Sequence, residues 1–395
     1  MLKTIRHFDI KGKRVLVRVD FNVPINNGKV SDDFRIRSAL PTIQYCLKNG
    51  AGVVIMSHLG RPNGKPDPEL SLIPVGETLA ELLEMPIKFS HDCISEDARD
   101  ISMGIRSGEI HLIENLRFHK GETDNDTAFS SLLAKHGQVY INDAFGTAHR
   151  AHASNVGVVK YFTHSGIGLL FEKELRYLQD TLKSPKRPLT MVLGGAKIYT
   201  KLQLIHRFVE EADDIIIGGG MVFTFLKAKG KSIGRSLVDD SMLSVAQNIL
   251  QKAKLLSVKL HFPVDIIIAK DPQHVDSSKI ISTNEIPNDF MGLDIGPKSV
   301  AIFSEILTGS KTIIWNGPMG MFEIPGFDQG SLNLAKALSA AYHSGAMVII
   351  GGGDTAAAIR QFNMMDSVSH ISTGGGASLE LLSGNRLPAV QALEN

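Results

Sequence analysis

The chain has 395 residues, and its 42 basic and 41 acidic side chains leave a formal net charge of +1. That balance excludes a long-range field for holding nucleic acid or an anionic membrane, and 6% aromatic residues with a single Trp give no base-stacking platform. A hydrophobic fraction of 43% and a charged fraction of 21% are those of an ordinary globular protein, long enough for two domains with separate cores.

The opening run Met1-Leu2-Lys3-Thr4-Ile5-Arg6-His7 has no apolar stretch long enough for a signal peptide. No segment reaches the roughly 18 apolar residues of a membrane span. Cys46 and Cys93 show neither a disulfide framework nor metal-ligand spacing, and read as free, buried thiols of a reducing compartment. The expected location is cytoplasmic.

Short apolar runs then alternate with helix-period stretches, which predicts βαβ units and parallel sheets. The first half offers strands at Val15–Val19, Val53–Met56, Ile87–Phe89, Ile110–Ile113 and Val139–Ile141, with Ile36, Leu40, Ile43 and Leu47 at helical spacing between the first two. The second half repeats the pattern at Met191–Leu193, Ile215–Ile217, Ile266–Ala269, Thr312–Trp315 and Met347–Ile350. Between the halves, Phe171, Leu175, Leu178 and Leu182 form one apolar stripe, with glycines before it and Pro185 and Pro188 after it. This reads as a hinge helix; the alternative is an ordinary helix within one continuous domain. The expected fold is α/β, two Rossmann-like domains with parallel sheets joined by that helix, divided as 1–168 and 169–378.

Ligands of open parallel sheets sit beyond the carboxyl ends of the strands. In the first half those positions carry Asp20 and Asn22, His58 and Arg61, Arg117, and Asp143, with Arg35 opening the first helix and Arg150 further on. Cations at equivalent strand ends repel unless an anion joins them, so the inferred ligand is small and at least doubly anionic. His149 and His152 lack a nearby third ligand and read as hydrogen-bonding groups rather than metal ligands.

The second half carries glycine clusters instead, at Gly194-Gly195, Gly218-Gly219-Gly220, Gly351-Gly352-Gly353 and Gly374-Gly375-Gly376, each before a helix-like stretch. Such turns let backbone N–H groups approach phosphate. Gly351–Ala356 satisfies a loose G-x-G-x-x-A pattern, the one support for a nicotinamide dehydrogenase. Asp354 and Thr355 inside it suit a phosphate-bound Mg²⁺ better. Lys197 and Lys201 flank a helix start where outer phosphates would lie, and Glu323 is placed to bond ribose hydroxyls. A magnesium phosphoryl donor in one half and an anionic acceptor in the other describe a kinase.

The motifs Arg18-Val19-Asp20-Phe21-Asn22-Val23-Pro24, Ser57–Pro62, Glu114–Phe118 and Asn142–His152 resemble the signatures of the phosphoglycerate kinases. So do Leu193–Lys197, Gly218–Met221, Gly292–Pro297, Trp315–Glu323, Gly351–Thr355 and Ser372–Ser378, in the family's order and over nearly the whole chain. The resemblance implies a cytoplasmic monomer exchanging a phosphoryl group between 1,3-bisphosphoglycerate and ADP, to give 3-phosphoglycerate and ATP. It implies a phosphoglycerate site of Asp20, Phe21, Asn22, Arg35, His58, Leu59, Gly60, Arg61, Arg117 and Arg150. It also implies a nucleotide site of Lys197, Lys201, Gly292, Glu323, Gly352, Gly353, Asp354 and Thr355, with Asp354 serving Mg²⁺ and with Arg35, Lys197 and Lys201 catalytic. The segment from about 379 to 395 is expected to return to the first domain. Tyr199, Ser331 and the run Gly121-Glu122-Thr123 depart from the usual pattern.

Overall fold

The structure, a computed structural model, describes residues 2–196 and 198–394, so Lys197 lies outside the described residues. The chain divides into two compact units, Met1–Arg176 with Asn385–Asn395, and Tyr177–Gly384.

The first unit is built on a six-stranded parallel sheet: β1 (Arg14–Arg18), β2 (Gly52–Met56), β3 (Lys88–Ser90), β4 (Ile110–Ile113), β5 (Val139–Asn142) and β6 (Ser165–Ile167). Their order across the sheet is β3-β4-β2-β1-β5-β6. The direction of strand addition reverses beside β1, so the carboxyl ends of β1, β2 and β5 meet at a switch point. Val53–Met56 and Ile110–Ile113 are buried on both faces, the mark of a parallel sheet covered by helices. One cover is α1 (Phe34–Lys48), whose Ile36, Ala39, Ile43 and Cys46 are wholly or almost wholly enclosed. Each isoleucine among them contributes about 1.5–3 kcal/mol by leaving water. Leu40 and Leu47, expected on that face, pack beside it and are only partly buried.

The second unit repeats the design with β7 (Leu189–Leu193), β8 (Asp214–Ile217), β9 (Lys259–His261), then β13 (Thr312–Asn316), β14 (Met347–Gly351) and β15 (His370–Ile371). The order is β9-β8-β7-β13-β14-β15, so the switch point lies between β7 and β13. One strand was expected in the wrong sheet. Ile266–Ala269 belongs to β10 (Asp265–Ala269), which pairs antiparallel with β11 (Lys279–Ser282) and β12 (Met291–Ile295) in a separate three-stranded sheet. Fewer than about a dozen residues separate β10 from β11, too few for a parallel crossover. Around the stripe Phe171–Leu182 the chain is helical at Leu169–Leu175, passes through a π turn at Arg176–Asp180, and ends at Thr181–Lys183.

A buried polar chain crosses the core near β4. Ser102 Oγ lies 2.8 Å from His111 Nδ1 and 2.6 Å from His136 Nδ1, and His136 Nε2 bonds the Cys93 carbonyl at 3.0 Å. His136 donates at Nε2, so its Nδ1 accepts the serine proton, and His111 Nδ1–H donates to the serine oxygen. The chain requires a neutral His136, whose Nδ1 must accept, and burial disfavours the charged form of both rings, pushing His111 down to about 3 and His136 to about 4. In the unfolded chain both titrate near about 6.5, so the unfolded state binds more protons over the intervening range. Their contribution to stability is complete above about pH 6.5 and is lost as pH falls toward 3–4. The melting temperature should therefore drop steeply between pH 6 and 4, by roughly the uptake of two protons, and less steeply in His111→Gln; equal slopes would exclude this pair as the source.

Candidate active site

Arg18, the last residue of β1, is fully buried although charged. Its guanidinium donates to Ser154 Oγ at 2.9 Å, to the Val19 carbonyl, and from Nη2 toward His58 Nδ1 at 3.2 Å. Arginine has no acceptor, so His58 Nδ1 must carry the lone pair and Nε2 the hydrogen. His58 is itself buried, and burial together with the charges of Arg18, Arg117, Arg35 and Arg150 holds it far below its ordinary value. A neutral imidazole thus sits among four arginines. Glu122, fully buried, provides distant compensation through Ser154, whose hydroxyl donates to it at 2.6 Å and whose N–H donates at 2.9 Å.

The loops after β1 and β2 are stitched through Gly60. Its N–H donates to Asn22 Oδ1 at 2.9 Å and its carbonyl accepts from Arg117 Nη1 at 2.6 Å, while its φ of +60° favours glycine. Arg35, on the first turn of α1, reaches Asp20 Oδ2 at 3.2 Å and the Asn22 carbonyl at 3.0 Å. Burial and the neighbouring Arg150 and Arg18 push Arg117 down to about 10, and its Nε has no partner among the described residues. Arg61 projects as an exposed side chain.

Three expected members sit differently. Phe21 and Leu59 point into the hydrophobic core, and Phe21 N–H donates to Ser57 Oγ. Leu59 is held through both backbone groups by Asn115, at 3.2 and 2.7 Å. Asp143, expected at the ligand edge, is instead buried and accepts from Phe171 N–H at the following helix start; desolvation raises it to about 6. His149 accepts from Arg150 Nε at 3.2 Å, and His152 lies 3.7 Å from Glu122. Arg18, Asn115 and Glu122 were absent from the expected site. A charged residue closing the run Val15-Leu16-Val17 was the available signal for the first.

In the second unit the glycine loops meet one another. A Cβ on Gly194 would stand 2.1 Å from the Pro318 carbonyl, one on Gly219 2.3 Å from Gly195 N, and one on Gly317 2.3 Å from the Gly194 carbonyl. These glycines allow backbone to pack on backbone at the ends of β7, β8 and β13. Gly353 is different: a Cβ there would meet nothing within 4 Å. Trp315 Nε1–H fixes the loop by donating to the Gly317 carbonyl at 2.7 Å, and Gly317 N–H donates to Thr355 Oγ1 at 2.6 Å. Thr355 is consequently buried, with only its hydroxyl proton left to offer.

Lys201 follows, on the turn Tyr199–Lys201 that leads into α2 (Leu202–Glu211). It is almost fully enclosed and donates to the carbonyls of Gly194 and, at 2.7 Å, Asn316. Burial lowers it to about 7, against the opposing pull of Asp354. Asn316 Nδ2 is buried without a partner among the described residues, 3.1 Å from where a Gly352 Cβ would stand, an idle donor that sequence reasoning missed. Asp354 is exposed on the first turn of α3 (Gly353–Gln361). It and Glu323 help to line a cavity of about 410 Å³ whose other walls include Gly292, Phe223, Leu237 and Met319. That volume and apolar lining suit a flat heterocycle with polar groups at one side. Tyr199 is exposed, and Ser331 Oγ, fully buried, accepts from Met319 N–H at 2.9 Å.

The family model of phosphoglycerate kinase matches residues 5–385. The chain belongs to the phosphoglycerate kinase family. It is 49% identical over 393 residues to the phosphoglycerate kinase of Chloroherpeton thalassium, covering 100% of this chain and 99% of the relative. It is 47% identical to that of Thermosipho africanus, with 99% and 98% covered. The phosphoglycerate kinase structure from Coxiella burnetii superposes with a TM-score of 0.88 at 39% identity, covering 100% of this chain and 99% of the other. That of Pyrococcus horikoshii does so at 0.87 and 30%, with 100% and 98% covered. Membership of the phosphoglycerate kinases removes the dehydrogenase alternative. Its one support, Gly351–Ala356, follows β14 rather than the unit's first strand, where a dinucleotide fingerprint belongs.

The two kinds of glycine should separate on substitution. Gly317→Ala, at φ +98° and with no room for a Cβ, should destabilise the unit by more than about 1–3 kcal/mol, the scale of backbone strain alone. Gly353→Ala should stay within about 0.5 kcal/mol of wild type. Urea unfolding of the purified variants gives the comparison.

Proposed function

We propose that this chain transfers a phosphoryl group between 1,3-bisphosphoglycerate and ADP, giving 3-phosphoglycerate and ATP, and that its two units divide the substrates. The observation that carries the division is the cluster around His58, where the charges of Arg18, Arg35, Arg117 and Arg150 converge, with Asp20 and Glu122 among the nearby carboxylates. A small dianion relieves that excess. Arg61, Arg117 and Arg150 hold its phosphate, Asp20 and Asn22 its hydroxyl, and His58 donates from Nε2.

In the second unit the adenosine enters the apolar cavity, beside Gly292 and with Glu323 bonding ribose hydroxyls. The phosphates meet the N–H groups of Gly352 and Gly353 and the hydroxyl of Thr355, with Lys201 beside them; Lys197 is retained as a member on the family resemblance. Asp354 fits Mg²⁺: it is an exposed hard-oxygen ligand at a helix start, where one carboxylate plus phosphate oxygens is the usual magnesium set. The ion, when bound, neutralises phosphate charge.

In the direction of ATP use, a carboxylate oxygen of 3-phosphoglycerate bonds to the γ-phosphorus as the bond from that phosphorus to the bridging oxygen breaks. ADP departs with the bridging oxygen. The nucleophile is already an anion, so no general base is required. The transferring group spreads charge over three oxygens, which Arg35, Lys197 and Lys201 stabilise. The π turn at Arg176–Asp180 lies at the boundary between the units and is our candidate hinge. No described helix is long and apolar enough to cross a membrane; a cytoplasmic monomer is our further reading, from the family resemblance.

A coupled assay of ADP formation, with ATP, Mg²⁺ and 3-phosphoglycerate omitted in turn, tests the function; turnover without 3-phosphoglycerate at the full rate would refute it. Lys201→Ala should cost about 2.7–4 kcal/mol of barrier while leaving 3-phosphoglycerate affinity nearly intact. Lys201 also makes binding pH-dependent. Its free value of about 7 must rise when phosphate replaces the carbonyls, so nucleotide binding takes up a proton above that pH and weakens as pH rises. Calorimetry in buffers of different ionisation enthalpy at a pH of about 8 should show this uptake in wild type and not in Lys201→Met.

A further inference from the structure

Cys93 has no metal-ligand spacing in the sequence, but the fold supplies the partners. β3 and β4 are neighbours in one parallel sheet, so the turn after β3, carrying Asp92 and Cys93, adjoins the segment after β4, carrying His119. A carboxylate oxygen of Asp92, Sγ of Cys93 and a ring nitrogen of His119 all lie within 4.8 Å of one another. We propose that Asp92, Cys93 and His119 form a binding site for one divalent cation of zinc-like softness, with a water completing a tetrahedron.

The donor set selects the ion. Thiolate, imidazole and carboxylate together suit Zn²⁺, and three protein ligands plus water is a recurrent zinc arrangement; Mg²⁺ and Ca²⁺ take oxygen alone. The surroundings already orient the donors. Asp92 Oδ1 accepts from the N–H groups of Ile94 and Ser95 at 2.7 and 2.8 Å, which turns Oδ2 toward His119 Nε2 at 2.9 Å. The Cys93 carbonyl is held by His136, and the His119 ring packs on Phe129 with centroids 5.5 Å apart. Such outer partners fix ligand geometry at metal sites. Tetrahedral bonds of about 2.0–2.3 Å place ligand atoms about 3.4 Å apart, so the ion replaces the Asp92–His119 hydrogen bond at small displacement.

Charge favours the same occupant. The Asp92 carboxylate beside the sulfur supplies negative charge that a cation would neutralise. On binding, the sulfur–metal bond forms as the thiol proton passes to solvent. Asp92 and His119 keep 37% and 30% of their side chains exposed, giving a path inward to the enclosed sulfur. Cys46 provides the contrast: it lies in the hydrophobic core and joins no such group among the described residues. A bound ion would tie together the turns after β3 and β4, the second of which also carries Arg117.

Tag-free protein titrated anaerobically with Co²⁺, in a phosphine reductant, should bind about one equivalent with tetrahedral visible bands and a thiolate-to-cobalt charge-transfer band. Zn²⁺ should bleach both; excess Mg²⁺ should not. Cys93→Ser should remove the charge-transfer band and Cys46→Ser should keep it. His119→Gln should weaken binding by more than the about 10–100-fold that loss of an outer partner costs. No thiolate band in the wild type, or a band that survives Cys93→Ser, overturns the proposal. Should Cys93→Ser fail to fold, X-ray absorption of the zinc-loaded wild type must show one sulfur at about 2.3 Å, and a shell of nitrogen and oxygen alone overturns it.

Discussion

Positive charge held out of water is the constraint on which both ligand edges depend. Arg18 is wholly buried, Arg117 nearly so, and Lys201 is enclosed against two carbonyl oxygens. An isolated buried cation costs several kcal/mol, so each needs a partner that a ligand can supplement or replace. Arg18 has its partner at one remove, since Ser154 relays it to Glu122. Arg117 has a carbonyl, and an Nε with no partner among the described residues. Lys201 has, among the described residues, two carbonyls and the charge of Asp354. The series runs from a cation bound into the fold to one whose partners are exchangeable. Arginine stays charged through all of it, while lysine comes close to losing its proton.

The two edges solve the placement problem by different means. In the first unit side chains converge, and loops are stitched by amides, Asn22 to Gly60 and Asn115 to Leu59. In the second unit backbones converge, and the glycines at the ends of β7, β8 and β13 are there because neighbouring carbonyls occupy the space of a Cβ. Reading every glycine as a phosphate contact therefore overcounts. Gly353, with open space, keeps that reading; Gly194, Gly219 and Gly317 are packing residues that hold Lys201 and Asn316 in position.

The parallel sheets were legible because their strands are apolar on both faces and long enough to show it, as at Val53–Met56 and Thr312–Trp315. β6, β9 and β15 were not, since Ser165–Ile167, Lys259–His261 and His370–Ile371 are too short and too polar for a pattern. β10 misled because Ile266–Ala269 has the composition of a buried parallel strand, and only the short gap to β11 marks it as antiparallel. Individual cations at strand ends could be named from spacing. Which of them face one another could not, because that depends on the switch points at β1 and between β7 and β13. Asp143 shows the limit: it stands at the right strand end yet turns inward to hold a helix start.

His58 draws these threads together. Its position after β2 was readable; its tautomer was not, because that is fixed by Arg18, forty residues earlier in the chain and on the adjacent strand. Burial and the charges of Arg18, Arg117, Arg35 and Arg150 all disfavour a protonated ring there, which holds His58 well below the ordinary histidine value. With Nδ1 facing Arg18, the neutral ring keeps its hydrogen on Nε2. Lys201, by contrast, sits where a proton can be gained or lost near neutrality. The chemistry needs no proton transfer, since a carboxylate attacks and a phosphate leaves. One edge is accordingly built to be indifferent to protons. The other buries its lysine at the cost of a weakened hold on its proton.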